Sequence, residues 1–246
     1  MTVTTVLTED VGSDCIGERK LIVHQVEYDP DTAWNLVENE KPKWFTKLGF
    51  LKPAPNEIIC ESLDLIYEPF IITKAHYFLD YYKPILYTIK IGDDVNEVVI
   101  FEHTLQPEMI NTRRFLGRAH KAIMFDAYER VEHTVSSSLA LTRMGQQIDP
   151  QQLPSGVPEV EPEKILKQHR DHVRTLQISH REIMERVYQQ TAIRPLDVGE
   201  IINEIYEVTE YIIICTPIYE ARCRQVKTGE IKIIPLSSVT GSLVSV

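Results

Sequence analysis

In YTIKI, residues 87–91, Tyr87, Ile89 and Ile91 alternate with Thr88 and Lys90. That period of two turns one face of a strand inward and the other outward. The surrounding stretch, 57–101, is rich in aromatic and β-branched residues (Tyr67, Phe70, Ile72, Tyr77, Tyr81, Tyr82) and reads as strands. Gly92-Asp93-Asp94 supplies a turn. Pro69 and Pro84 cannot donate to a ladder and are expected at strand starts, edges or bends. KLIVHQVEY, 20–28, reads as another strand. RRFLGRAHKAIMFDAYERVEH fits an amphipathic helix, but it also fits strands from about 121 onward. The Ser-rich, β-branched run HTVSSSLALT is poor helix material and favours strands, with a hairpin turning near Met144-Gly145. A last hairpin turns at Lys227-Thr228-Gly229.

Helical signals are fewer. DTAWNLVENE follows Asp29-Pro30, with Asp31 placed to cap it. Residues 41–55 hold three prolines and a glycine and read as a loop, with Trp44, Phe45 and Phe50 folding back onto the core. DPQQLPSGVPEVEPE, 149–163, reads as a linker. Beyond it, Pro162 suits a first helical position. Ser179-His-Arg-Glu182 matches a capping box, with Ile178 and Ile183 set as its hydrophobic staple. Two helices are expected, at roughly 162–177 and 180–190. VGEIINEIYEV, after Pro195 and a second capping pattern at Asp197–Glu200, is expected to form a third.

Residues 61–101 and 207–246 share an order of features: apolar run, proline with aromatic neighbours, second extended run, polar turn, closing strand. Pro69 aligns with Pro217, and Val95 with Val239. The polar residues of the two stretches differ, so a repeat here would duplicate a framework rather than a site. The fold class expected is α+β, with two antiparallel-sheet units and helices concentrated between about 162 and 206. The expected division is a β-rich domain at 1–150, a Pro-rich linker at 151–161, and a helical segment with a β-hairpin unit at 162–246.

Composition narrows the functional classes. Among 246 residues, 43% are hydrophobic and 25% charged, an ordinary globular balance. The net charge of −10 disfavours a broad nucleic-acid surface, because phosphate contacts need clustered cations. The N-terminus lacks the basic and apolar regions of a secretory signal, and YIIICTPIY is too short to span a bilayer. A cytoplasmic protein without membrane association is expected. Cys15, Cys60, Cys215 and Cys223 are scattered and read as free, mostly buried thiols.

Candidate sites are sparse. His76 and Asp80 share a strand face with Lys74 and Tyr82, an arrangement in which a carboxylate can orient an imidazole. His76, Asp80 and Tyr82 are therefore the candidate ligand-binding set. Arg113, Arg114, Arg118, His120 and Lys121 form a basic cluster suited to phosphate or an acidic partner. His169 and His180 fall within an apolar helical seam, and His169, Asp171 and His172 lie close together without a further ligand in dense spacing. No metal site and no cofactor are expected: HExxH, CxxC, Walker A, GxGxxG and GxSxG are all absent.

With no catalytic constellation and 11 tyrosines, a non-enzymatic interaction or scaffold subunit is the first expectation, with a protein partner or self-association. The alternatives are a small-molecule-binding protein or enzyme at His76, Asp80 and Tyr82, and a nucleic-acid accessory protein using Arg113–Lys121.

Overall fold

The computed structural model describes residues 16–46, 53–110 and 119–244. Among them are strands β1 (Ile16–Val23), β2 (Ile58–Lys90), β3 (Val98–Ile100), β4 (His103–Leu105), β5 (Glu108–Ile110), β6 (His120–Thr142), β7 (Gln147–Ile148), β8 (Ile201–Gln225) and β9 (Ile231–Ser237). The helices are α1 (Pro30–Trp44), α2 (Pro162–Gln168) and α3 (His180–Thr191). The structure is mixed α and β, with 20% helix and 52% strand. The main sheet runs β1-β8-β2-β6-β5, with β7 on β6 and β9 on β8, and β3 and β4 form a separate pair. The β1–β8 pairing is parallel, while β8–β9, β5–β6 and β6–β7 are antiparallel, so the sheet is mixed. No helix among the described residues is long and apolar enough to cross a membrane.

Three strands are very long: β2 has 33 residues, β6 has 23 and β8 has 25. The chain parts into two compact units, and each of these strands contributes to both. Unit 1 comprises Met1–His76, Ser136–Thr191 and Glu207–Val246; unit 2 comprises Tyr77–Val135 and Ala192–Tyr206. The proline-rich stretch at 149–163 lies within unit 1. There Pro158 bridges His24, just past β1, and the Glu159 N–H donates to the Val23 carbonyl at 2.7 Å.

Among the described residues, four prolines stand inside strands rather than at their ends: Pro69 and Pro84 within β2, contrary to the expectation from ladder donors, Pro217 within β8 and Pro235 within β9; all but Pro84 are buried. The outer side of β8 explains Pro217. There β1 pairs as far as Cys215, and β9 takes over from Ile218. Pro217 sits at this junction, where no ladder donor is required. Its carbonyl still accepts from the backbone N–H of Ser238 at 3.2 Å and from the Ser238 hydroxyl at 2.7 Å. Beside Pro69, Glu68 is buried and bonded by Arg143 at 2.8 Å and Arg174 at 3.4 Å, and Arg174 also reaches Glu220 at 2.5 Å. Burial still pushes the Glu68 carboxyl above its ordinary value, against the pull of both arginines.

In unit 1, α1 packs Ala33 and Val37 against Ile58, Tyr219, Ala221, Cys223, Ile234 and Leu236. Asp29, not Asp31, is its N-cap; the Asp29 carboxylate accepts from the backbone N–H groups of Asp31 (3.0 Å) and Thr32 (2.9 Å), with Pro30 opening the helix. The expected loop at 41–55 is also corrected at its start. The helix continues through Pro42 to Trp44, with Lys41 buried and paired to Glu38 at 2.6 Å. Phe45 does fold back onto the core, under the Lys232 ammonium at 5.3 Å. Phe50 lies outside the described residues.

The capping box before α3 forms as the spacing requires. The Ser179 N–H donates to the Glu182 carboxylate at 2.9 Å, and the Glu182 N–H donates to the Ser179 hydroxyl at 3.2 Å. Both staple residues, Ile178 and Ile183, are buried. The expected helix over 162–177 is shorter: α2 ends at Gln168, and a 3₁₀ turn at Arg170–His172 follows. The expected third helix is a strand. Ile201, Ile202 and Ile205 are β-branched, and the segment runs straight into the apolar run of β8, so one extended chain serves both. Two of the three described helices, α2 and α3, lie within 162–206, while the longest described, α1, stands at Pro30–Trp44.

The β6–β7 hairpin turns at Gly145, whose φ is +80°. A Cβ there would meet Ile178 Cδ1 at 2.8 Å. Gly145→Ala should therefore destabilise the protein by about 1–2 kcal/mol, since a left-handed backbone is costly for any residue with a Cβ. Urea unfolding followed by circular dichroism measures it; an unchanged midpoint would contradict this account of the turn.

Candidate functional site

Unit 2 is assembled on a small core of Tyr77, Leu79 and Tyr81, with Val131, Val135, Ala192, Val198 and Tyr206 packed against it. Alternation along β2 then sends Asp80 and Tyr82 to the opposite face. Asp80 is buried and receives two bonds from the Arg130 guanidinium, from Nε at 3.0 Å and Nη2 at 2.6 Å. This two-pronged contact holds the Asp80 carboxyl below the usual carboxylate range.

Tyr82 is tied at the backbone to the segment that precedes β8. Its N–H donates to the Glu200 carbonyl at 2.8 Å, and its carbonyl accepts from Gly199 N–H at 2.9 Å. Glycine is required at 199, because a Cβ there would stand 2.5 Å from the Tyr82 carbonyl oxygen. The Tyr82 ring meets Tyr128 edge-on, with centroids 6.5 Å apart. Tyr82, Tyr128 and Glu200 line a hollow of about 180 Å³. Elsewhere in unit 2, Lys83 pairs with Asp197 at 2.7 Å, and Tyr77 donates to Glu204 at 2.8 Å, which also pairs with Arg194.

The structure disperses the sequence-derived set. Asp80 and Tyr82 belong to unit 2, and His76 is the last β2 residue of unit 1. The His76 Nδ1 atom lies 3.2 Å from the Ser136 hydroxyl, and Asp80 is engaged by Arg130. Of the basic cluster, Arg113, Arg114 and Arg118 lie outside the described residues. Lys121, on β6, donates to the Asp93 carbonyl at 3.4 Å. The seam histidines each face a tyrosine instead of each other: His169 with Tyr67 at 5.4 Å, and His180 with Tyr211 at 5.1 Å. Among the described residues, no three His, Cys, Asp or Glu side chains cluster as a metal site would require.

What periodicity did not reveal is the apolar surface of unit 2. Of the 21 exposed large apolar side chains described, 12 belong to this smaller unit, among them Leu86, Val99, Phe101, Met109, Tyr128 and Leu196. Only five of the 33 buried core residues do. The β3–β4 hairpin combines such exposure with a costly backbone conformation. Ile100 pairs with His103, leaving a two-residue turn of Phe101 and Glu102. Both residues have positive φ, +48° and +68°. Such turns ordinarily take Asn-Gly. Here a phenylalanine occupies the first position and is 93% exposed.

Comparison with family models, with curated proteins and with solved structures finds no match to this chain.

The Asp80–Arg130 contact has a pH signature. A carboxyl depressed in the folded state stabilises above its unfolded pKa, and that stability is lost as pH falls through the folded value. Arg130→Gln removes the depression, so the variant should be less stable than the native chain near neutral pH, and the difference should shrink as pH falls through the folded value of Asp80. Melting temperature against pH reads this directly; a difference that stays constant down the acid limb would show that Asp80 draws nothing from Arg130.

Proposed function

We propose that this chain is a non-enzymatic interaction subunit of a cytoplasmic protein assembly, and that unit 2 carries the contact surface. The observation behind this is the distribution of apolar side chains: unit 2 buries few and exposes many. Contiguous apolar exposure marks interaction surfaces in soluble proteins. The hairpin tip adds a second support. Phe101 is a large aromatic held in a costly backbone conformation, where it packs on little of its own chain. Strain of this kind persists where it serves contact with another molecule. Aromatic residues at the centre of an interface are also its strongest anchors.

A second reading is binding of a small organic cation at Tyr82, Tyr128 and Glu200. Two tyrosine rings and a carboxylate supply π faces and negative charge. Its volume is below the common range of ligand pockets, which makes this the weaker reading. Loss of a ligand-induced melting shift in Tyr82→Ala would support it. Nucleic-acid binding through Arg113–Lys121 is the third reading, tested by mobility shift at low salt, where the electrostatic contribution is greatest.

The hairpin separates stability from association. Phe101→Asn with Glu102→Gly installs the residues that this turn geometry prefers, and should stabilise the protein by about 1 kcal/mol. The same change should abolish association, read as oligomeric mass by light scattering or as partner recovery on affinity purification. A native chain that is strictly monomeric and recovers nothing lost by the variant would overturn the interaction reading.

A further inference from the structure

Strands β2 and β8 run antiparallel in unit 1, and their contacts fix the register. The Val226 N–H donates to the Glu57 carbonyl at 2.9 Å. Four residues along, Glu61 pairs with Arg222 at 3.2 Å and also with Arg224. The same offset recurs far up the ladder, where the Thr209 hydroxyl donates to the Lys74 carbonyl at 3.2 Å. On this register Cys60 lies directly opposite Cys223.

The hydrogen-bonding phase follows as well. Glu57 and Val226 form a hydrogen-bonded pair, so alternation makes Cys60 and Cys223 a non-hydrogen-bonded pair. At such pairs the Cα atoms approach to about 4.5 Å. That lies within the span that a disulfide bridges, roughly 4.4–6.8 Å. Glu61, Arg222 and Arg224 occupy the outer face, which leaves both cysteines on the inner face beneath α1.

The two thiols are unlike each other. Cys223 is fully buried, whereas Cys60 is only partly so. The Cys60 thiol donates to the Ser62 carbonyl at 3.7 Å, and the neighbouring Cys223 thiol is the main cause holding Cys60 below the ordinary thiol value; burial and Glu38 oppose it, and Lys41 assists. The Cys60 thiol and burial push Cys223 up. Cys215, buried elsewhere on β8, is pushed up to about 12 by burial. An accessible thiol with more thiolate character beside a buried one is the arrangement of an attacking and a resolving cysteine.

We propose that Cys60 and Cys223 form a reversible cross-strand disulfide by exchange with low-molecular-weight disulfides. The Cys60 thiolate attacks one sulfur of the small disulfide, forms a mixed disulfide and releases one small thiolate. Cys223 then loses its proton and attacks the Cys60 sulfur, releasing the second small thiolate. One small disulfide is reduced to two thiols, and two protein thiols are oxidised to one disulfide. The bond staples β2 to β8 at the floor of the α1 core.

Glutathione disulfide is the probe. The native full-length chain is incubated with it at mildly alkaline pH, alkylated, and digested without reduction for mass spectrometry. The expected product is a peptide pair joined through Cys60 and Cys223, an intact mass lower by two hydrogens, and a higher melting temperature, all reversed by dithiothreitol. In Cys223→Ser, exchange should stop at one glutathione retained on Cys60. In Cys60→Ser, Cys223 should stay unmodified. The native chain alone decides the matter if a variant fails to fold. Glutathione persisting on Cys60 without a linked pair, linkage through another cysteine, or no reaction overturns the proposal.

Discussion

Backbone hydrogen bonding along β2 and β8 is the constraint on which the rest of unit 1 depends. A central strand needs partners for its N–H and C=O groups on both sides, because a buried unpaired group costs about as much as a lost hydrogen bond. Strand β8 meets this in pieces. On its outer side β1 pairs in parallel up to Cys215, and β9 pairs antiparallel from Ile218. Pro217 falls at the gap between them, where the missing donor costs nothing. The Thr216 hydroxyl beside it lies 3.1 Å from His24 Nδ1, which leaves this buried side chain with a polar partner. Strand β2 also recruits a local partner: Tyr67 bridges Val173, and its carbonyl accepts from Arg174 N–H at 3.1 Å. That places Arg174 beside Glu68, so a backbone requirement and a buried charge are met by one segment.

Seen from the sequence, what is legible is what neighbouring residues decide. The Ser179–Glu182 capping box spans four residues and forms as spaced, and the turns at Gly145 and Gly229 follow from glycine at positive φ. The strand identity of 120–142 follows from β-branched residues that crowd a helix. Strand length is not legible. Pro69 and Pro84 look like breaks, and only the arrangement of neighbouring strands permits β2 to continue through both. The same gap in local information misled the reading of VGEIINEIYEV. Its acidic residues and capping pattern favour a helix locally, but the segment pairs with Tyr82 and leads into β8.

The candidate polar site shows why side-chain chemistry was harder to read than strand period. Asp80 and His76 share a face by alternation, which is a true statement about β2. Their partners are set by what β2 pairs with. Arg130 lies 50 residues from Asp80, and Ser136 lies 60 from His76, both on β6. Burial then ranks the competing contacts. A buried carboxylate gains most from a guanidinium that supplies two donors at once. The Cys60–Cys223 opposition is hidden for the same reason, since nothing in a spacing of this length announces a cross-strand pair.

Unit 2 presents a different balance of forces. A unit with so small a core has a large surface for its volume, and some apolar exposure follows from size alone. Size does not account for the β3–β4 tip. Positive φ at a residue with a Cβ costs about 1–2 kcal/mol, and two adjacent residues bear that cost here. A phenylalanine ordinarily offsets such a cost by burial, which is worth about 1.5–3 kcal/mol for a large side chain. Phe101 gains almost none of this, being 93% exposed. The hairpin therefore holds an unreturned local cost within its own chain. Burial of that ring against another surface would return it, which is why the proposed contact surface is centred on the tip rather than on the polar residues along β2.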